Sequence, residues 1–203
     1  MDLFSTPGLQ RLPIDDAEVY YQAPINLPQA APELLALLLA EVPWTEQDIT
    51  VWGKTQPQPR LMAWYGDEDA RYSYSGIALE PLPWSTLLAE IKYNVEQVAG
   101  ARFNSVLLNY YRNQRDSMGM HSDDEPELGP QPVIASLSLG AERTLVMKHR
   151  RDRGQPVQRL TLASGSLLLM QGDTQRNWKH GINKLQRACG PRVNLTFRKI
   201  LAL

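Results

Sequence analysis

One cysteine, three histidines and three phenylalanines are all that 203 residues hold of those types, and each scarcity excludes something. Cys189 alone rules out an internal disulfide and a cysteine-based zinc site, and it fits a reducing compartment. The longest apolar run, Leu34 to Ala40, is far too short to span a bilayer. The opening Met1-Asp2-Leu3-Phe4 lacks a basic region and a signal-like apolar segment, so the expected location is the cytoplasm, or the nucleus of a eukaryotic cell. No repeat or low-complexity tract is present. With 43% hydrophobic and 21% charged residues the chain reads as an ordinary globular domain.

The net charge of −1 hides an asymmetry. Met1 to Glu142 carries 8 Lys and Arg against 20 acids, while Arg143 to Lys199 carries 13 against 2, Asp152 and Asp173. A basic half of this kind is a footprint for a polyanion, most often nucleic acid. A solvated face that balances the acidic half explains it equally well.

Residues 1–30 read as an irregular arm. Pro32-Glu33 opens a helix through Leu34, Leu35, Leu38 and Leu39. Ile49–Trp52 and Arg71–Tyr74 are strand candidates, separated by a turn-prone Gln56-Pro57-Gln58-Pro59. A second helix runs from about Trp84 to Val98, with Gly100 as its stop. Short β segments then follow at 103–111, 117–121, 133–139, 143–149, 157–163, 166–170, 177–181 and 192–199. The expected fold is α+β but mainly β. A jelly-roll (double-stranded β-helix) core over 102–203 would carry an N-terminal arm, helices and hairpins over 1–101, the two forming one compact unit.

His121-Ser122-Asp123 places two donors on the same side of an extended strand, and His180 is a distant third. Two imidazoles and one carboxylate on one face suit non-haem iron(II) and leave positions open. Zinc is the alternative metal, although the HExxH spacing of hydrolytic zinc helices is absent. His149, in Lys148-His149-Arg150-Arg151, reads as part of a surface basic patch. In Arg192-Val193-Asn194-Leu195-Thr196-Phe197-Arg198 polar and apolar residues alternate, so Arg192, Asn194, Thr196 and Arg198 share a face. Two guanidiniums on one inward face suit a bound dicarboxylate. An amphipathic strand with its polar face in water is the plainer reading. Asn109 and Tyr111 repeat the same spacing.

Together N-x-Y, H-x-D-D-E, the distant His180 and the closing R-V-N-L-T-F-R resemble the AlkB family of Fe(II)/2-oxoglutarate dioxygenases over about residues 48 to 200. The likeness is closest to the branch acting on duplex DNA. It implies iron held by His121, Asp123 and His180. It also implies 2-oxoglutarate held by Arg192 and Arg198, with Asn109, Tyr111, Asn194 and Thr196 nearby. The implied reaction is oxidative demethylation of N-methylated bases such as 1-methyladenine and 3-methylcytosine, releasing formaldehyde, succinate and CO2. A methyl on a pairing edge must be flipped out of a duplex. The resemblance places Trp52, Gly53, Lys54, Tyr72, Ser73, Tyr74 and Asp124 at the substrate, with Trp52 as a wedge. Trp52 reads equally as a hairpin core residue, and Asp124 as an N-cap or loop carboxylate. Trp52 stands where the family would have phenylalanine, and Gln56–Arg60 is proline-rich, with Arg60 placed to reach a phosphate. The implied partner is alkylated DNA, single- or double-stranded, or RNA, met by a monomer without a membrane. Two other readings stay open: an RNA or protein hydroxylase of the same superfamily, and a non-catalytic cupin-like module.

Overall fold

The computed structural model describes residues 8–51, 54–70, 72–74, 77–79 and 81–201, of which 49–51, 54, 72–74 and 77–79 are described by backbone alone. Strands β1 (Gln10–Arg11) and β2 (Glu18–Gln22) precede helix α1 (Ala31–Glu41). They are followed by β3 (Thr45–Val51), β4 (Lys54–Gly66), β5 (Tyr72–Tyr74), β6 (Ile77–Leu79) and helix α2 (Thr86–Ala99). The remaining strands are β7 (Ser105–Tyr111), β8 (Met118–His121), β9 (Ile134–Gly140), β10 (Arg143–His149), β11 (Gln158–Leu162), β12 (Ser166–Gln171), β13 (Trp178–Ile182) and β14 (Arg192–Arg198). A four-residue helix α3 (Thr174–Asn177) leads into β13.

An eight-stranded sheet in the order β1-β2-β12-β9-β14-β7-β4-β3 faces a four-stranded sheet in the order β11-β10-β13-β8. This is the expected jelly roll. The large sheet draws β1 to β4 from before residue 102, so its hydrogen bonding runs across residue 101 without a break. The hairpin β5–β6 forms a separate two-stranded sheet. No helix among the described residues is long and apolar enough to cross a membrane.

Helix α2 begins at Ser85, whose hydroxyl accepts the Leu88 N–H, and ends at Gly100 with φ 64°. Serine is a favoured N-cap and glycine adopts the left-handed conformation at little cost. Both helices pack on the outer face of the large sheet: Leu34, Leu38, Leu88, Ile91 and Val95 meet Val193, Leu195 and Phe197 of β14. Burying each such side chain contributes about 1.5–3 kcal/mol. A second apolar cluster, including Leu107, Leu145, Met147, Leu168, Met170 and Trp178, fills the space between the sheets.

Two parts of the N-terminal half differ from the sequence expectation. Glu18–Gln22 is no irregular arm, because it pairs with β12 from Leu167↔Gln22 to Gln171↔Glu18. That partner is about 150 residues away and leaves no local signal. The segment Gln56–Pro59 is strand, not turn. β4 pairs with β7 only from Leu61 to Gly66, so Pro57 and Pro59 fall where no β7 carbonyl awaits an N–H.

Candidate metal centre

All seven residues of β14 are buried. Its apolar side chains face the helices, so Arg192, Asn194, Thr196 and Arg198 project between the sheets. The plainer reading of a polar face in water is therefore excluded. These four residues share one cavity with Tyr111, His121, Asp123 and His180.

Adjacent strands of the four-stranded sheet bring the histidines together. His121 at the end of β8 pairs directly with His180 in β13, and the rings stand 4.4 Å apart. Gly181 permits this approach, since a Cβ there would lie 2.9 Å from the Met118 carbonyl oxygen. β8 stops at His121, so Asp123 lies in the loop beyond it, not on the strand. Ser122 turns away and donates to the Trp178 carbonyl at 2.9 Å. Nε2 of His121 and of His180 each lie 3.9 Å from an Asp123 oxygen. One donor atom from each residue lies within 4.8 Å of the others.

The hydrogen bonds around this triad suit a cation. Nδ1 of His121 is 3.0 Å from the Gly119 carbonyl, which can only accept, so the proton sits on Nδ1 and Nε2 is free to ligate. Arg198 donates from Nη2 to Asp123 Oδ1 at 2.6 Å. Asp123 Oδ2 is buried and accepts no hydrogen bond. An orphaned carboxylate oxygen between two imidazoles is unfavourable unless a metal ion takes it. Burial raises the Asp123 pKa, but Arg198 and the two imidazoles outweigh it and bring it to about 2. Burial lowers His180, helped by His121 and Arg198 against Asp123, to about 3. Asp123 and His180 are thus deprotonated at neutral pH, where metal binding needs them so. The His121 side chain is 30% exposed against 9% for His180, so the site opens to solvent past His121.

Arg192 lies six residues along β14 from Arg198 and belongs to the other end of the cavity. Gly140, at φ 92°, makes room for it, because a Cβ there would collide with the Pro191 carbonyl oxygen. Its guanidinium lies 4.9 Å from the centre of the Tyr111 ring and donates from Nη2 to Ser138 Oγ at 3.0 Å. Nε and Nη1 have no hydrogen-bond partner. No carboxylate among the described residues forms an ion pair with it.

Other expected residues are placed differently. Asn109 is fully buried, accepts from Arg60 Nε at 2.7 Å and does not line the cavity. Arg60 is only 4% exposed, so it is held inside the sheet and does not reach out to a phosphate. Asn194 Nδ2 is engaged by Ser136 and Leu137, and its Oδ1 accepts from Thr196. Asp124 lies outside the cavity, 2.6 Å from Arg150. The His149 side chain is 8% exposed and packs edge-on against Trp178, with Nδ1 accepting the Asp152 N–H at 2.8 Å, so it is no surface patch residue. Trp52 and Gly53, and the side chains of Lys54, Tyr72, Ser73 and Tyr74, lie outside the described residues.

Sequence reasoning missed Gln175. Its side chain is buried in α3, where Oε1 accepts the Asp123 N–H at 3.0 Å and fixes the ligand loop. A lone glutamine in a short helix carries no periodic signal.

The family model of the 2OG-Fe(II) oxygenase superfamily matches residues 19–198. The Homo sapiens alpha-ketoglutarate-dependent dioxygenase alkB homolog 3 is 43% identical over 175 residues, 82% of this chain and 60% of that protein. The Homo sapiens DNA oxidative demethylase ALKBH2 is 45% identical over 159 residues, 75% of this chain and 61% of that protein. An Arabidopsis thaliana protein of the latter name is 37% identical over 185 residues, 79% of this chain and 59% of that protein. The chain therefore spans about 60% of the length of the curated relatives it matches. The solved structure of OsALKBH1 superimposes with a TM-score of 0.60 at 16% identity, covering 94% of this chain and 99% of that one, a likeness of fold. With the family model covering nearly the whole chain, the chain belongs to the 2OG-Fe(II) oxygenase superfamily, and within it is similar to these AlkB homologues.

Proposed function

We propose that this chain is an Fe(II)/2-oxoglutarate-dependent dioxygenase that removes methyl groups oxidatively from the bases of alkylated DNA. One observation carries the reading: a single cavity holds a His-Asp-His donor set with an orphaned carboxylate oxygen and, at its far end, a buried arginine with unbonded N–H groups. Nε2 of His121, Oδ2 of Asp123 and Nε2 of His180 would hold the iron. Bound iron, with 2-oxoglutarate and dioxygen, supplies the oxidising power that hydroxylates an N-methyl group, and formaldehyde, succinate and CO2 leave.

The chain's own residues supply position and charge. Arg192 takes the distal carboxylate, because it is the buried cation remote from the metal ligands and its free donors suit a bidentate pair. Arg198 stands at the metal end, where it holds Asp123 ionised and oriented and meets the keto-acid end of the co-substrate. Tyr111 forms the wall over Arg192, while Asn194 and Thr196 line the cavity between the two arginines. Asn109 acts behind this wall through its bond with Arg60.

The nucleotide enters past His121 and meets Asp124 and the hairpin side of the chain. Residues 1–101 supply the recognition region, with Trp52, Gly53, Lys54, Tyr72, Ser73 and Tyr74 contacting the flipped base and its flanks, mounted on the 102–203 core through β4 and β7. The basic half supports a polyanionic substrate: Lys148 and Lys179 face each other directly across β10 and β13, both exposed. Like charges directly opposite are unfavourable without a counter-anion.

Oligonucleotides bearing 1-methyladenine or 3-methylcytosine, as single- and double-stranded DNA and as RNA, are incubated with Fe(II) and 2-oxoglutarate and weighed by mass spectrometry. Loss of one methyl from DNA supports the proposal. Loss only from RNA, or from none while a methylated or hydroxylatable peptide reacts, overturns the DNA assignment.

A further inference from the structure

Resting on the reading of this cavity as the 2-oxoglutarate site, we propose that Arg143 is a positioning residue that sets the site's preference for a dianionic 2-oxo acid, acting through Tyr111 and Arg192.

Arg143 opens β10 and is 2% exposed. Its guanidinium lies 5.4 Å from the centre of the same Tyr111 ring that Arg192 approaches at 4.9 Å. Two buried cations thus share one phenol ring. Arg143 donates only to main-chain carbonyls, those of Asn113, Asp116 and Asn183, and its Nε has no partner. The nearby Asp116 carboxylate is committed elsewhere: Arg112 binds it through Nε at 2.8 Å and Nη2 at 2.9 Å. Neither Arg143 nor Arg192 forms an ion pair with any described carboxylate. Carbonyl dipoles hold Arg143 in place without cancelling its charge.

The second cation changes what Arg192 demands. Burial pushes the Arg192 guanidinium below its ordinary value, Tyr111 opposes this, and the charge of Arg143 adds to the lowering. Two like charges buried within about 10 Å of each other, with low-polarity walls, repel until an anion arrives. A co-substrate with an anionic distal end relieves that repulsion, and one with an apolar end does not. Arg143 does not line the cavity, so its effect is electrostatic and passes through the ring and Arg192.

The test is equilibrium binding to the Zn(II)-loaded protein, measured by calorimetry with 2-oxoglutarate and with 2-oxopentanoate, which has the same chain length and one carboxylate. Arg143→Met keeps volume and loses charge; Arg143→Lys keeps charge and loses the forked donors. The expected result is at least a ten-fold weakening of 2-oxoglutarate in Arg143→Met, which is ~1.4 kcal/mol. Binding of 2-oxopentanoate should stay within about two-fold, and Arg143→Lys should hold 2-oxoglutarate within about three-fold of the parent. Equal weakening of both ligands in Arg143→Met, no weakening, or loss in Arg143→Lys matching that in Arg143→Met overturns the proposal in favour of a purely structural tether. Should Arg143→Met fail to fold, Arg143→Lys decides alone: a ten-fold loss overturns it and retention supports it. Failure of the parent protein to bind 2-oxoglutarate contradicts the proposed function instead.

Discussion

Replacing Arg192 by methionine should move stability and ligand affinity in opposite directions. The parent side chain is 1% exposed, has two N–H-bearing atoms without partners, and has no carboxylate beside it among the described residues. Exchanging an uncompensated buried charge for a hydrophobic residue of similar volume should stabilise the ligand-free protein by about 1–3 kcal/mol. At this chain length that is a rise in Tm of roughly 2–12 °C. The same change removes two charge-assisted hydrogen bonds to the distal carboxylate, at ~1.5–3 kcal/mol each. Affinity for 2-oxoglutarate should then fall by about 10²–10⁴-fold. Thermal unfolding without ligand and calorimetric titration of the Zn(II)-loaded protein read the two effects separately. A variant less stable than its parent, or one whose Kd shifts by less than ten-fold, refutes the assignment of Arg192 as an anion socket.

Three further outcomes are expected. His180 is held neutral by burial with its pKa lowered from 6.5 to about 3, so below the unfolded value the unfolded chain binds the proton and the folded chain does not. Stability of the metal-free protein should be complete above about pH 6.5 and fall towards pH 3 with a slope approaching ~1.4 kcal/mol per unit. In denaturant titrations His180→Gln should flatten that slope, and an unchanged slope refutes the neutral buried imidazole. Gln175→Leu leaves the Asp123 N–H unsatisfied and should weaken Co(II) binding by about 10–100-fold, whereas Gln175→Glu, which keeps an acceptor, should bind more tightly than the leucine variant. Equal metal affinity in all three proteins contradicts the role. Lys148→Gln with Lys179→Gln should lower the steepness of log K against log salt by up to about 1.8 for duplex DNA without loss of Tm. An identical salt slope places the phosphates elsewhere.

What could be read from the sequence follows the physics of local pattern. The period-two alternation of Arg192–Arg198 identified β14 and the shared face of its polar residues, because a strand between two packed layers must sort its side chains that way. The eight C-terminal strands, the helix over Thr86–Ala99 and its stop at Gly100 were legible for the same reason. What escaped depends on partners distant in sequence. Val19 and Tyr21 look no different from loop residues until β12 pairs with them. Pro57 and Pro59 signal a turn unless one knows that β4 outruns β7 there. Arg60 and Arg143 have the composition of surface residues, and only the closed sheets bury them. Arg150, in the basic Lys148–Arg151 segment, is held by Asp124, a pairing between separate loops that charge counting does not reveal.

The central claim is that one cavity couples oxidation of 2-oxoglutarate to removal of a base methyl group, and it is tested most directly by stoichiometry. Purified protein is given Fe(II), 2-oxoglutarate and a DNA oligonucleotide containing 1-methyladenine, and formaldehyde and succinate are counted together. The account predicts one formaldehyde for each succinate attributable to the methylated strand, and neither product with Asp123→Ala. Formaldehyde from Asp123→Ala at the parent rate, or succinate that never responds to the methylated strand, would contradict it.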